Sequence, residues 1–237
     1  MQKGSAKIVI LTGAGISAES GISTFRDSDG LWCNHKIEDV CTPMAWAKNP
    51  QLVTDFYNAR RKQLFEVVPN NAHTKLAELE KKYDVTVITQ NVDDLHERGG
   101  SSNVLHLHGE LKKVRSTVNS NLIYELKHWE VKIGDMCELG SQLRPHIVWF
   151  GEDVPNFNLA MEISQQADIF IVIGTSLQVY PAASLLYLIN NNVPKYLIDP
   201  NAENYQNIEN LYIIREKATV GVEKLVSKLM RFDKFTN

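Results

Sequence analysis

The chain has 237 residues, 43% of them hydrophobic, which is enough for one large α/β domain, alone or with a small one, and too apolar for a disordered chain. Twenty-five basic residues against 28 acidic ones leave a net charge of -3, and that balance offers no electrostatic footprint for nucleic acid. Three scattered cysteines, Cys33, Cys41 and Cys137, argue against a disulfide framework and for a reducing compartment.

No apolar run reaches the roughly 20 residues that span a bilayer, and residues 1–5 carry no signal-peptide core. A cytoplasmic protein with neither membrane nor nucleic-acid partners is expected.

Six runs read as strands: 7–11, 85–89, 147–150, 169–173, 195–198 and 211–214. Most are continuously apolar rather than alternating, as in strands covered by helices on both faces. Thr42-Pro43 and Asn49-Pro50 each set a capping residue before a proline, and the second helix should run to about Phe65. Ala72, Leu76, Leu79 and Tyr83 form a helical stripe ahead of the second strand, and Pro181 opens another helix with Ala182, Leu185, Leu186 and Ile189. Val222, Leu225, Val226 and Leu229 mark an amphipathic closing helix. Strands alternating with helices predict an α/β fold, a doubly wound parallel sheet. The polar stretch 116–140 interrupts the alternation and reads as part of a small inserted module. The expected division is a large part over 1–24, 66–110 and 145–237, and a small module over 25–65 and 111–144.

The first strand runs into T-G-A-G-I-S-A, where Gly13, Gly15 and Ala18 fall at G-x-G-x-x-A spacing. Glycines there let the backbone turn sharply and approach a pyrophosphate, with the following helix start offering free N–H groups. Taken alone the motif is weak. It is followed by a polar, aromatic-tipped loop from Phe25 to Asn34 instead of a second strand, and such a loop beside a phosphate site reads as a lid.

Gln90-Asn91-Val92-Asp93 follows the second strand, placed to hydrogen-bond a ribose or carboxamide, or else a plain capped turn. Leu105-His106-Leu107-His108-Gly109 puts two histidines at i and i+2, pointing the same way if extended. They could be a metal pair without supporting ligands, a general base, or structural histidines. On the helix after Pro50, Val53, Tyr57, Arg60 and Leu64 share one face. An arginine on an apolar stripe wants an anion, or snorkels, or pairs with an acid such as Glu66.

G-A-G-I-S-A-E-S-G-I-S-T-F-R-D, followed by Q-N-x-D and H-G, resembles the signature of the sirtuins, NAD-consuming protein lysine deacylases. The resemblance covers nearly the whole chain and implies a Rossmann-like large domain with an inserted module. It implies NAD as cofactor, bound by Gly13, Ala14, Gly15, Ile16, Ala18, Thr24, Phe25, Arg26, Gln90, Asn91 and Asp93. Gly174, Thr175, Ser176, Asn201 and Ala218 then fall where the family contacts the adenosine half. His108 aligns with the catalytic histidine, and His106 is left a structural role. Leu143 to Glu152 resembles the segment that pairs with substrate peptide, with Trp149, Phe150, Gly151, Glu152 and Val179 as substrate contacts.

Family members that accept acidic acyl-lysines carry Tyr-x-x-Arg with a small alanine nearby. Tyr57 and Arg60 fit that pattern, and Ala45 is the candidate alanine. The implied activity is removal of acetyl and succinyl or malonyl groups from protein lysines, with nicotinamide and acyl-ADP-ribose as products. An NAD-sensing module with little turnover, or protein ADP-ribosylation, are the alternatives.

The family's zinc module is where the chain departs. The first C-x-x-C reads Ser116-Thr117-Val118-Asn119, and the second, counted back from Leu143-Arg144-Pro145, falls on Met136 and Leu139. Cys137 alone cannot hold a structural zinc. No metal is expected, and Leu122, Ile123, Leu126, Trp129 and Ile133 are the candidate packing that replaces it.

Overall fold

A computed structural model describes residues 5–23, 31–32, 35–205 and 207–231. The elements run β1 (Lys7–Thr12), α1 (Gly15–Ala18), β2 (Leu31–Trp32), β3 (His35–Lys36), α2 (Ile37–Val40), α3 (Pro43–Lys48), α4 (Pro50–Glu66) and α5 (Asn71–Glu78). Then follow β4 (Asp84–Thr89), α6 (Leu95–Arg98), β5 (Val104–His106), β6 (Gly109–Ser116), β7 (Ile123–Glu125) and β8 (Leu143–Ile147). The chain continues through α7 (Phe157–Gln165), β9 (Ile169–Ile173), a 3-10 segment (Ala182–Leu188), β10 (Lys195–Ile198), β11 (Leu211–Ile214) and α8 (Ala218–Arg231).

Six strands form one parallel sheet in the order β11-β10-β9-β1-β4-β5. Its continuously apolar strands are apolar for the reason expected: both faces are covered. Ile8 and Ile10 of β1 pack with Leu76, Leu79, Val222, Leu225 and Leu229 beneath α5 and α8. Val9 and Leu11 turn to the opposite layer, with Ala160 of α7 and Leu185 and Leu186. No helix among the described residues is long and apolar enough to cross a membrane.

The caps read from sequence are present. Thr42 Oγ1 accepts from Ala45 N at 3.0 Å, and Asn49 Oδ1 accepts from Leu52 N at 3.0 Å, each ahead of a proline at the first turn. The segment opened by Pro181 is 3-10 rather than α-helical, although Ala182, Leu185 and Leu186 are buried as expected.

The expected strand at 147–150 is displaced. The strand is β8, Leu143–Ile147, and it joins an antiparallel sheet ordered β7-β6-β8 instead of the parallel one. Arg144 and Pro145 hid it from an apolar-run reading, while the apolar residues after Ile147 belong to a loop. The polar strand β6 and the three-residue β5 were also invisible to that criterion.

The small sheet does not rest on Ile123, Trp129 and Ile133, which are exposed, while Leu122 and Leu126, also expected to replace zinc, are half-buried. It is held by polar groups of α4. Arg61, fully buried, donates from Nε to Leu111 O at 2.6 Å and from Nη1 to Trp129 O at 2.7 Å. Asn58 Nδ2 donates to Val131 O at 2.7 Å, and its Oδ1 accepts from Val131 N at 3.0 Å. Trp129 therefore contributes its carbonyl to the anchor.

Met136 and Leu139, the counted zinc positions, also face solvent. Cys137, one residue on, points inward to Ser116 Oγ at 3.4 Å and Ser141 Oγ at 3.1 Å, and the two serine oxygens are 2.9 Å apart. Bonds with these hydroxyls, Ser116 first, bring the Cys137 thiol down to about 7. Among the described residues no cluster of three His, Cys, Asp or Glu side chains could hold a metal ion.

Candidate active site

In an open parallel sheet a ligand sits beyond the carboxyl ends of the strands, where the strand order reverses. Here the reversal lies between β1 and β9, and three loops meet there. Gly13 N donates to Ile173 O at 3.0 Å, Gly15 N to Gly174 O at 2.8 Å, and Gln90 N to Thr12 O at 2.9 Å.

The glycines permit this contact between loops. A Cβ on Gly13 would stand 2.7 Å from Thr175 Cβ, and one on Gly15 would stand 2.6 Å from Gly174 Cα. Gly174 itself has φ +62°, and its Cβ would lie 2.6 Å from Gly15 C. The cradle is built of backbone with no room for side chains, which suits a diphosphate.

Behind the cradle lies a buried polar network. Asn91 Nδ2 donates to Gly13 O at 3.1 Å and to Ser17 Oγ at 3.2 Å; Ser17 Oγ donates to Asp93 Oδ2 at 3.0 Å. His73 Nε2 approaches Ser17 Oγ at 3.5 Å, and its Nδ1 accepts from Asn70 N at 3.3 Å. Thr12 Oγ1 donates to Thr89 Oγ1 at 2.8 Å and meets His96 Nε2 at 3.0 Å. Burial lowers His73 to about 4 and holds His96 well below its ordinary value, so both rings are neutral. Burial raises the Asp93 carboxyl, opposed by the Leu95 N–H and Ser17. The sequence reading missed Ser17, His73 and His96; their one signal was polarity at positions that α1, α5 and α6 bury.

The two histidines meet consecutive carbonyls. His108 Nδ1 lies 3.0 Å from Gln90 O, and His106 Nδ1 lies 3.2 Å from Asn91 O. His106 Nε2 also meets Glu97 Oε1 at 2.7 Å. Burial acts to lower His106, yet the Glu97 carboxylate prevails and its pKa is raised. Burial lowers His108, partly offset by the Gln90 carbonyl. Strand β5 ends at His106, so the two rings do not share one extended run as expected. Gly109 has φ +81°, and a Cβ there would collide with the His146 carbonyl, so the residue after His108 must be glycine.

The other expected cofactor contacts spread around the same rim. Ala14 and Ile16 flank Gly15, and Ala18 ends α1, exposed. Gln90 Nε2 reaches Thr175 Oγ1 at 3.5 Å, while Ser176 lies half-buried beside it. Asn201 follows β10, exposed, its N–H on Asp199 Oδ1 at 2.8 Å. Ala218 opens α8, buried. Thr24, Phe25 and Arg26, with the rest of the expected lid through residue 30 and Cys33, lie outside the described residues.

A second cluster adjoins the loop after β8. Tyr57, Ala45 and Trp149 are buried in one apolar group with Val53, Phe56 and Ile147. Tyr57 Oη accepts from Trp149 Nε1 at 3.1 Å and donates to Cys41 Sγ at 3.4 Å. Burial pushes the phenol well above its ordinary value, so it stays protonated. Arg60, one turn on, is also buried, its guanidinium carbon 5.8 Å from the Phe56 ring centre. Cys41, which takes the Tyr57 hydrogen bond, and Ala45, the candidate small residue, are both buried in this same apolar group.

Glu152 accepts from Arg144 Nη1 at 2.7 Å, from Arg115 Nη2 at 3.3 Å and from Trp149 N at 2.8 Å. Burial acts to raise its pKa, but those donors, Arg144 foremost, hold it below the usual carboxylate value. Its carboxylate is thus engaged within the protein. The Arg144 guanidinium lies 3.3 Å from the centre of the Trp149 ring, so that ring is a packed wall, while Phe150 and Gly151 are exposed. Val179 sits half-buried past Ser176, its carbonyl accepting from Ala183 N at 3.0 Å.

Residues 13–181 match the Sir2 family. The chain is 57% identical over 225 residues to an NAD-dependent protein deacylase of Helicobacter pylori, covering 94% of this chain and 97% of the relative. It is 54% identical over 228 residues to one of Bacteroides thetaiotaomicron, covering 94% and 97%. Among solved structures it resembles a Sir2 homologue in complex with NAD, at TM-score 0.86, 41% identity and coverage of 96% and 90%. A Sir2 structure with a p53 peptide and NAD+ aligns at TM-score 0.78 and 29% identity, covering 95% and 94%. The chain belongs to the Sir2 family, the sirtuins.

Proposed function

We propose that the protein is an NAD-dependent protein lysine deacylase that removes acetyl and succinyl or malonyl groups, forming nicotinamide and O-acyl-ADP-ribose. The observation that carries the reading is the bond from His108 to the Gln90 carbonyl, beside the backbone cradle at the strand-order reversal. A carbonyl only accepts, so Nδ1 carries the ring proton and Nε2 is left as a base.

NAD, when bound, would supply a sugar carbon open to the acyl oxygen, with nicotinamide as leaving group and a sugar hydroxyl as the final acceptor of the acyl group. The protein's part is to bind, orient and move a proton. Gly13, Ala14, Gly15, Ile16 and Gly174 form the cradle for the diphosphate. Asn91 and Asp93, fixed through Ser17, orient the sugar and carboxamide. Nε2 of His108 takes the proton of a sugar hydroxyl. Trapping both substrates together supplies proximity, worth several powers of ten in related chemistry.

The acylated side chain enters between the loop after β8 and α4. Phe150 and Gly151 present the backbone there, and Trp149 walls the stem. Tyr57 and Arg60 lie at the pocket's end, where a guanidinium matches a carboxylate bidentately. In this reading the large sheet carries NAD, and the small module of residues 25–65 and 111–144 carries the acyl-lysine. Acylated proteins of the cytoplasm are the partners, and no zinc takes part.

The test is direct. The protein is incubated with NAD and an acetyl- or succinyl-lysine peptide, and products are read by mass spectrometry. Nicotinamide with acyl-ADP-ribose is the expected result. Absence of both products rejects turnover, and ADP-ribose attached to protein would identify a transferase.

A further inference from the structure

At the outer edge of the parallel sheet, two side chains assigned to neither NAD nor acyl-lysine meet each other. His106 ends β5, an edge strand paired on one side only. Its Nε2 lies 2.7 Å from Glu97 Oε1 on α6, and its Nδ1 lies 3.2 Å from the main-chain oxygen of Asn91. The ring thus joins three pieces of chain: the edge strand, the helix before it and the loop after β4.

A carboxylate and a main-chain carbonyl only accept hydrogen bonds. A neutral imidazole has one N–H to give, and the imidazolium has two. Both contacts are therefore hydrogen bonds only while the ring is charged. The ionisable groups that face it are Glu97 and His96 of α6, Glu110 of β6 and Asp93 of the loop after β4. Burial acts to lower the pKa of His106, but the bond to Glu97 and the charges of Glu97 and Glu110 outweigh it and raise the value. His96, held neutral by burial, adds no opposing charge.

The geometry points to His106 as a proton-operated clasp: charged, it fastens β5 and α6 to the loop after β4, and on losing its proton it lets go of one of them, so this edge of the sheet loosens in alkaline solution. The nitrogen left bare then faces an oxygen lone pair, and attraction becomes repulsion. Because the folded value is raised above 6.5, the clasp is complete below 6.5 and is lost as pH rises through the raised value. A ring that merely packs against the edge would give no such dependence.

The experiment is NMR on the full chain, as wild type, His106→Gln and Glu97→Gln. Ring nitrogen shifts tell how many protons His106 carries. At about pH 6.5 the wild-type ring is expected to hold two and the ring in Glu97→Gln one. Amide exchange, corrected for its intrinsic pH dependence, reads the clasp itself. The Leu107 and Leu111 amides donate to Thr89 O at 2.9 Å and Val92 O at 2.7 Å across the same junction. Their protection is expected to fall about tenfold in the wild type between about pH 6 and 8.5, the span of one hydrogen bond to a charged group, and to stay level in His106→Gln. The Lys195 amide, bonded to Asn210 O at the opposite edge, is the control. The Cys137 thiol titrates in the same range, but it is present in every protein and cancels in the comparison. A wild-type ring with one proton at that pH, or protection that follows pH alike in wild type and variant, overturns the inference. Should His106→Gln fail to fold, Glu97→Gln carries the exchange comparison with the same level protection expected. Neither readout uses NAD or an acyl peptide, so the outcome stands apart from that of the deacylase reading.

Discussion

His108 Nδ1 lies 3.0 Å from the main-chain oxygen of Gln90, and that single contact fixes which ring nitrogen is free to act. It joins the loops that follow two neighbouring strands of the sheet: the end of β4 and the bend after β5.

The first prediction concerns this ring. His108→Ala should lower kcat/KM by about 10²–10⁴-fold, the usual worth of a general base. Because burial lowers its pKa from 6.5, the ring is neutral, and able to accept a proton, at every pH above that lowered value. Activity should therefore fall only as pH drops below 6.5, with the acid limb of kcat/KM centred under it. A limb centred above 6.5 would contradict the assignment.

The cradle can be tested by adding one carbon. Gly174→Ala places a Cβ 2.6 Å from Gly15 C at a φ of +62°, whereas Gly134→Ala, at φ +107°, meets nothing within 4 Å. Both variants pay for the backbone conformation, roughly 1 kcal/mol. Only Gly174→Ala forces the two loops apart, so it alone should lose ADP-ribose binding by calorimetry. Equal affinities in the two variants would show that the loop contact is not needed.

The small module depends on a buried guanidinium. Arg61→Met removes the donors to Leu111 O and Trp129 O and leaves both carbonyls unpaired, which should cost about 3 kcal/mol or more in urea unfolding. Lys62→Met, next door and exposed, should cost under about 0.5 kcal/mol. Because this anchor needs no metal, a strong chelator should leave the melting temperature unchanged. One tightly held zinc ion per chain would refute that.

On the proposed reading, in which Arg60 binds the carboxylate of the acyl group, Arg60→Met should lower desuccinylation by about 10–100-fold more than deacetylation. Matched losses on both peptides would assign Arg60 a purely structural role.

Five strands of the parallel sheet, all but β5, were legible as apolar runs covered on both faces, and a periodicity-free run of apolar residues such as 169–173 has few other uses. Thr42-Pro43 and Asn49-Pro50 were legible because capping is a local interaction, complete within four residues. The glycine loop announced a close approach but not its partner. Gly13 and Gly15 are small because β9's loop presses on them, and that loop lies some 160 residues away in sequence.

Sequence by itself determined the continuously apolar strands β1, β4, β9, β10 and β11, the caps and the order in which polar loops reach one edge of the sheet, because each follows from short-range preference or a simple burial pattern. Tertiary structure alone decided that Arg61 and Asn58 fasten the small sheet, that Glu152 is taken up by two arginines, and that the Tyr57 hydroxyl meets Cys41 and Trp149. Those pairings are hydrogen bonds between distant segments. Such bonds depend on where a donor ends up in space, and a donor's spacing along the chain carries no record of it.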